Sequence, residues 1–379
     1  QKVQSRPLIP AQFAAWIPSG KGKQPTAEGG DGYLCGIQLM RPALIDQLNV
    51  LKHLTFRRIW NIVRVVASYQ ASRLTGKNLQ SGNPFALSIE PTTSCNLRCP
   101  ECPSGLRSFT RPTGMLEVEL FQKALDDCSK DLIYLILYFQ GEPYLHPNFH
   151  NMVSLAKSRK LYVATSTNAH YLTDEHARAT VESGLDRLII SLDGTDQSTY
   201  ESYRIGGKIE KVLEGTKNVI KWRKKLKADK PFVVFQFLVT AKNEHQIPEV
   251  KALADEIGVD DVWFKTAQVY EYENGHELIP VDSKYSRYRQ RRDGKWELKN
   301  NFENRCWKMW HSAVITWDGK VVPCCFDKDA SHEMGNIRDI EFIKIWQSTK
   351  YNQFRAKLLN NRSSIEMCKN CTEGTEVWV

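Results

Sequence analysis

The sequence predicts an α/β protein: a mostly parallel sheet with helices on its outside, followed by a small C-terminal domain that carries cysteines. Three observations predict it. From Pro84 onward, short apolar runs alternate with helical patterns six times, which is how strands joined by helical crossovers read. A C-x3-C-x2-C loop at Cys95, Cys99 and Cys102 follows directly on the first apolar run. Four further cysteines, Cys306, Cys324, Cys368 and Cys371, lie within residues 305–379 around a predicted hairpin.

The strand candidates are Phe85–Ile89, Leu132–Phe139, Leu161–Ser166, Arg187–Ser191, Phe232–Val239 and Val262–Thr266. All are short apolar runs of the kind that fills a sheet covered on both faces. Pro91 ends the first, because proline cannot continue a ladder. Helical patterns lie near 118–129, 148–159, 173–184, 208–228 and 246–257. In the C-terminal part, Asp318-Gly319 between Ala313–Trp317 and Lys320–Cys324 is a strong hairpin signal.

A chain of 379 residues suits two or three domains. The net charge of +9 is modest, and its densest runs are Lys221–Lys225 and Arg287–Arg292. Both read as solvated faces, so no nucleic-acid partner is expected. Ten cysteines at metal-like spacings, with no secretory apolar region, point to a reducing cytoplasm. No apolar stretch reaches the roughly 18 residues of a membrane span. Residues 1–39 show no hydrophobic period and begin with Gln1. They read as disordered or as a non-native extension, 1–41 in the domain division, with Cys35 unassigned and a start at Met40 sufficient. Residues 42–83 form a basic amphipathic helical segment. Leu44, Ile45, Leu48, Leu51, Leu54, Ile59, Val63, Val66 and Tyr69 make its stripe, with Arg57, Arg58, Arg64 and Arg73 beside it. Two arrangements fit: the stripe packs on the α/β domain, the preferred reading, or 42–75 makes a peripheral contact with an anionic membrane.

Three thiolates on one loop can share a metal centre. A closed zinc site wants four protein ligands. A 4Fe–4S cluster held by three leaves one iron open to a ligand that is not protein. The C-x3-C-x2-C loop after a first strand resembles the radical S-adenosylmethionine (SAM) enzymes. The resemblance implies a partial (β/α)6 barrel over 84–269. It also implies SAM on the open iron, cleaved by the reduced cluster to a 5′-deoxyadenosyl radical. Gln140-Gly141-Glu142-Pro143 is similar to the family's G-G-E-P turn, which implies that Gly141, Glu142 and Pro143 hold the SAM amino group. Ser166 and Asn168 fall in a stretch like its Thr-Asn-Gly turn. Ser191 and Asp193 fall in one like its Ser-x-Asp-Gly; all four are implied to be cofactor-binding, and Ser191 and Asp193 to bond the methionyl or ribose part of SAM. Arg204 matches the arginine that pairs with the SAM carboxylate. The chain departs from the family at Gln140, which replaces a glycine. It departs again at Glu101, where an aromatic usually precedes the third cysteine.

Residues 270–304 are polar and basic and read as a connector. Cys306, Cys324, Cys368 and Cys371 could ligate zinc as well as a cluster. Their layout, C-x17-C and a later C-x2-C with Gly319 in a G-x4-C element, resembles the SPASM/Twitch extension of radical SAM enzymes. It implies one auxiliary 4Fe–4S cluster in 305–379, as in radical SAM dehydrogenases of an aminocyclitol alcohol. Cys325 is left over: a substitute ligand, an inert thiol, or a hydrogen-atom donor with Asp327 two places on. Cys128 reads as core. The resemblance thus implies a radical SAM oxidoreductase whose auxiliary cluster accepts an electron, with a carbohydrate or cyclitol-like alcohol as the favoured substrate. A flavodoxin- or ferredoxin-type protein would be the reductant. A peptide substrate, or epimerisation through Cys325, are alternatives; no separate leader-recognition domain is evident in 42–82. The rival of another class is an iron–sulfur electron carrier or zinc-binding protein, which would have no use for the turns at 141–143 and 191–193.

Overall fold

The computed structural model describes residues 42–299 and 303–371. The readings of residues 1–39 and of Cys35 lie outside the described residues. Two N-terminal helices, α1 (Pro42–Leu51) and α2 (Phe56–Thr75), precede the first strand, β1 (Ala86–Ile89). After it come α3 (Pro103–Leu106), α4 (Val118–Cys128), β2 (Tyr134–Ile136), α5 (Phe149–Ser158), β3 (Tyr162–Thr167), α6 (Asp174–Glu182) and β4 (Arg187–Ser191). Then follow α7 (Gln197–Tyr203), α8 (Ile209–Lys225), β5 (Phe232–Val239), α9 (Ile247–Ile257) and β6 (Asp261–Thr266). The C-terminal part holds β7 (Tyr288–Gln290), β8 (Trp296–Leu298), α10 (Lys308–His311), β9 (Ser312–Ile315), β10 (Lys320–Val322), β11 (Gly335–Asn336), α11 (Phe342–Trp346) and α12 (Thr349–Asn361).

Strands β1 to β6 pair in sequence order, every pair parallel. This is the partial barrel, and all six strand candidates are present with shifts only at their ends. β3 is buried along its whole length, and Leu135, Val163, Leu188, Val233 and Phe235 fill the core between sheet and helices. The ordering puts the turns after β1, β2, β3 and β4 at one end of the sheet, where functional groups of parallel α/β proteins gather.

The N-terminal segment corrects one expectation. It is two helices, broken at 52–55, and Thr55 caps the second by accepting from the Arg58 amide at 3.3 Å. The segment does pack on the barrel, through Val65 and Tyr69 with Leu54 and Ile62 beside them, and through a set of polar bonds. Asp46 accepts from Tyr162 Oη at 2.5 Å and pairs with Arg187 at the start of β4. Arg58 donates to the carbonyls of His53, Lys160 and Ser129 at 2.7, 2.8 and 2.9 Å. Arg57 grips Asp131 through two bonds of 2.7 and 3.0 Å. The barrel floor presents strand-start carbonyls and acids that need partners, so a polar helix face seals it and the apolar stripe turns outward. Leu44, Ile45, Leu48, Leu51, Ile59 and Val63 are exposed, whereas Tyr69 of the same stripe is buried against Trp307 and Trp310. Among the described residues no helix is long and apolar enough to cross a membrane.

The predicted hairpin forms as β9–β10, with Gly319 at φ +88° in its turn. Its place in the fold was not predicted: β9 pairs in parallel with β1, Ala86 opposite Ser312 through Ile89 opposite Ile315. One nine-stranded sheet therefore runs from β11 to β6. The expected connector is also more than a connector. Val269, Leu278, Ile279 and Tyr288 pack on Leu97, Cys99 and Tyr203, and β7 and β8 form a hairpin. Tyr288 Oη takes the Val269 amide at 2.9 Å and reaches Asn370 at 2.9 Å. This segment roofs the first cysteine loop and ties it to the last one.

Candidate functional site

The loop after β1 is held by its neighbours. Glu142 N donates to Ser94 O at 2.7 Å, and Gly141 N donates to Ser104 Oγ at 3.0 Å. Gly141 sits at φ +74°, and a Cβ there would lie 2.3 Å from Thr92 O. Only glycine suits such a backbone. Gly105 is equally constrained, since its Cβ would lie 2.5 Å from Cys99 N. The three cysteines of the loop are thus fixed by close backbone approaches from two sides.

Nitrogen donors face two of the sulfurs. Leu97 N lies 3.5 Å and Asn168 Nδ2 3.9 Å from Cys95 Sγ, and Arg204 Nη1 is 3.7 Å from Cys99 Sγ. Cys102 Sγ approaches Gln140 Oε1 at 3.9 Å. Burial pushes the Cys95 thiol up to about 12 and raises Cys99, against the pull of Arg204. Coordination to a metal would deprotonate such thiols outright, and N–H donors to sulfur are how proteins tune an iron–sulfur cluster. Among the described residues no three His, Cys, Asp or Glu side chains converge closely enough to cage a single ion. Three thiols on one loop with N–H donors aimed at two of the sulfurs are a donor set that suits an iron–sulfur cluster.

The turns after β2, β3 and β4 meet beside this loop. Glu142 is buried: Oε1 accepts from Thr167 Oγ1 at 2.6 Å and Oε2 from Asn168 N at 2.7 Å. Burial raises its carboxyl to about 7 despite these bonds. The carboxylate locks the second turn to the third, and Pro143 starts the short helical turn behind it. Asn168 Nδ2 also bonds Asn96 Oδ1 at 2.8 Å. Asp193 takes Leu238 N at 2.7 Å and pairs with Arg204 at 2.5 Å. Arg204 is mostly buried, so this is no surface ion pair. Ser166 and Ser191, both buried, sit at the carboxyl ends of β3 and β4. The arrangement offers carboxylates and carbonyls for an ammonium, and a guanidinium that an incoming carboxylate could take from Asp193.

Cys306, Cys324, Cys368 and Cys371 are all buried. Arg362 bonds Cys368 and Cys371, lies near Cys306, and anchors itself on Arg305 O at 2.8 Å. Burial pushes the Cys368 thiol up to about 11. This is again a thiol-rich, dry set with an N–H donor, which fits a cluster with four protein ligands. Cys325 is half-buried against Phe139, Val314 and Val322, with Lys308 Nζ 3.5 Å from its sulfur. Asp327 is buried and its oxygens take the amides of Ser331 and His332 at 2.8 Å each. It shapes the turn that follows β10. Cys128 is core, donating to Ala124 O at 2.8 Å.

Five groups escaped the sequence reading as site residues. Gln140 reaches Cys102, and Glu101 holds the roof through Tyr270 N at 3.1 Å with His276 beside it. Both had been visible as departures from the expected pattern. Arg362 and Lys308 gave no signal, being ordinary cations at helix ends. The buried pair Glu90–Arg111, two bonds of 2.6 and 2.8 Å, braces the loop after β1 against the hairpin through Trp317 N.

Comparison with known proteins agrees with this geometry. The profile of the Radical SAM superfamily matches residues 89–250, and that of the SPASM iron–sulfur cluster-binding domain matches 306–372. The tungsten-containing aldehyde ferredoxin oxidoreductase cofactor-modifying protein of Pyrococcus furiosus is 29% identical over 316 residues, covering 76% of this chain and 86% of that protein. The PqqA peptide cyclase of Gluconobacter oxydans is 24% identical, covering 78% and 84%. A crystal structure of BtrN in complex with AdoMet and 2-DOIA shares the fold, with TM-score 0.50 and 20% identity over 78% of this chain and 95% of that one.

Proposed function

This chain belongs to the radical SAM superfamily and carries a SPASM iron–sulfur domain, and from that premise we propose an oxidoreductase of a small carbohydrate or cyclitol-like alcohol. The two domains imply SAM and two 4Fe–4S clusters as cofactors. In this reading Cys95, Cys99 and Cys102 hold the SAM-binding cluster, and Cys306, Cys324, Cys368 and Cys371 hold the auxiliary one. Bound there, the first cluster would supply the electron for SAM cleavage, and the second would be placed to accept one from the substrate. Gly141, Glu142 and Pro143 position the SAM ammonium. Ser166, Asn168, Ser191 and Asp193 line its pocket. Arg204, paired here with Asp193, would take the SAM carboxylate, which a guanidinium suits. The 267–298 segment keeps water from the radical, and a roofed mouth suits a small alcohol. The working boundaries are 84–269 for the barrel and 305–379 for the auxiliary domain.

The observation that carries the reading is the parallel pairing of β9 with β1. It makes the auxiliary hairpin a continuation of the barrel sheet, so that Cys325, next to Cys324 in sequence, packs on Phe139 just past β2. That is a rigid placement for passing an electron. The test is anaerobic turnover with a panel of cyclitols and sugars after chemical reduction. An alcohol converted to its ketone, with deoxyadenosine formed in equal amount, supports the reading; deoxyadenosine that no alcohol in the panel stimulates sinks it. The peptide reading has the cyclase relative in its favour, and a cross-linked peptide product would establish it instead.

Gly141→Ala tests the loop assignment. The strained backbone and the clash with Thr92 O should cost about 1–3 kcal/mol and shift the cysteine loop. Iron analysis should show loss at the first cluster with the auxiliary iron retained. An unchanged iron content with normal SAM cleavage would contradict the role given to this turn.

A further inference from the structure

Helices α1 and α2 bury Val65 and Tyr69 but turn a second apolar face outward. On α2 the inward residues are Arg58, Asn61, Val65, Ser68, Tyr69 and Ser72. The outward ones include Phe56, Ile59, Trp60 and Val63, at the i, i+3, i+4, i+7 spacing of one helix face. Phe56 is 85% exposed, Trp60 59% and, five turns along the same face, Leu74 81%. On α1 the pattern repeats: Asp46 and Asn49 face in, and Leu44, Ile45, Leu48 and Leu51 face out. Isolated exposed apolar residues are ordinary, but a contiguous face of them marks an interaction site.

Charge identifies the occupant. Lys52, Arg64, Arg73 and Lys77 are exposed around this face, beside Arg57, whose charge is paired with Asp131. The only acid in residues 42–83 is Asp46, which is buried and paired. A second copy on a two-fold axis would bring the same cations together. Residues 1–39 carry Lys2, Arg6, Lys21 and Lys23 against Glu28 and Asp31, so they too are cationic. Apolar residues with an interfacial tryptophan, rimmed by cations and too short on apolar length to span, describe a helix that lies in a lipid interface. We propose that α1 and α2 dock on an anionic phospholipid bilayer. The helices seal the barrel floor, at the strand starts, so the docked enzyme would hold its mouth, at the strand ends, away from the lipid.

The test is co-sedimentation of the full chain, reconstituted with iron and sulfide, with phosphatidylcholine vesicles that contain or lack phosphatidylglycerol. Binding is expected on the acidic vesicles, weakened by salt and about tenfold or more weaker on the neutral ones. Phe56→Ser, Trp60→Ser and Val63→Ser together should abolish it while iron content and SAM cleavage stay normal. Arg64→Glu with Arg73→Glu should lower it about tenfold or more, which keeps the test sound if the apolar variant misfolds. No binding, equal binding to both vesicles, or a dimer that the serine variant dissolves would overturn the proposal. Binding that appears only after removal of residues 1–39 would overturn it as well.

Discussion

Alanine at Cys95, Cys99 and Cys102 together should leave a folded protein with about four of about eight irons and no deoxyadenosine after reduction. The triple change touches one loop. The auxiliary cysteines sit on other elements, ahead of α10, after β10 and past α12, so their iron should stay. The fold should survive because the loop is fixed largely by backbone bonds that alanine keeps, such as Thr93 N to Gly114 O at 3.1 Å and Glu142 N to Ser94 O at 2.7 Å. The measurements are iron and sulfide content, circular dichroism, and chromatography of the reduced reaction mixture. Retained SAM cleavage would remove the basis for placing the cofactor at this loop. Loss of all iron would show instead that the two centres assemble as one unit.

The barrel was legible because its strands announce themselves twice. Arg187–Ser191 and Phe232–Val239 are apolar runs bounded by turn residues, and they appear in the structure with those bounds. The cysteine sets were legible because spacing on a loop survives folding. What the sequence hid was which face an element turns inward. The stripe of α2 has helical period, yet period says only that one face differs from the other. The partner decides which face is buried, and here the partner is a floor of carbonyls and acids. The connector misled for a similar reason. Its apolar residues Leu278, Ile279 and Tyr288 are scattered among charges, and their partners Leu97 and Cys99 lie far away in sequence. Helix α7 was missed because it is short and polar outside its buried Tyr200 and Tyr203. The placement of β9 beside β1 could not be read at all, since strand pairing between distant segments leaves no local trace.

Cys325 separates oxidation from epimerisation, and the two outcomes differ in kind. In the proposed oxidation all four auxiliary ligands are protein, so Cys371→Ala should abolish turnover while Cys325→Ala leaves it nearly intact. The structure ties Cys325 to the neighbouring Cys324 by a side-chain hydrogen bond. The Cys325 sulfur is half-buried among Phe139, Val314 and Val322, and its charged neighbour is Lys308 at 3.5 Å. A donor thiol must be reprotonated after use, and Asp327, the nearest acid in sequence, is committed to the amides of Ser331 and His332. If Cys325 nonetheless gives a hydrogen atom to a substrate radical, the enzyme in deuterated water must place one deuterium at the reacting carbon, because a thiol proton exchanges with solvent. Oxidation to a ketone leaves no hydrogen there to be labelled. Mass spectrometry of the product therefore decides between them: no solvent deuterium, and an active Cys325→Ala variant, is the expected result. Stoichiometric deuterium that vanishes in Cys325→Ala would replace oxidation by hydrogen-atom donation and leave the cysteine assignments as they are.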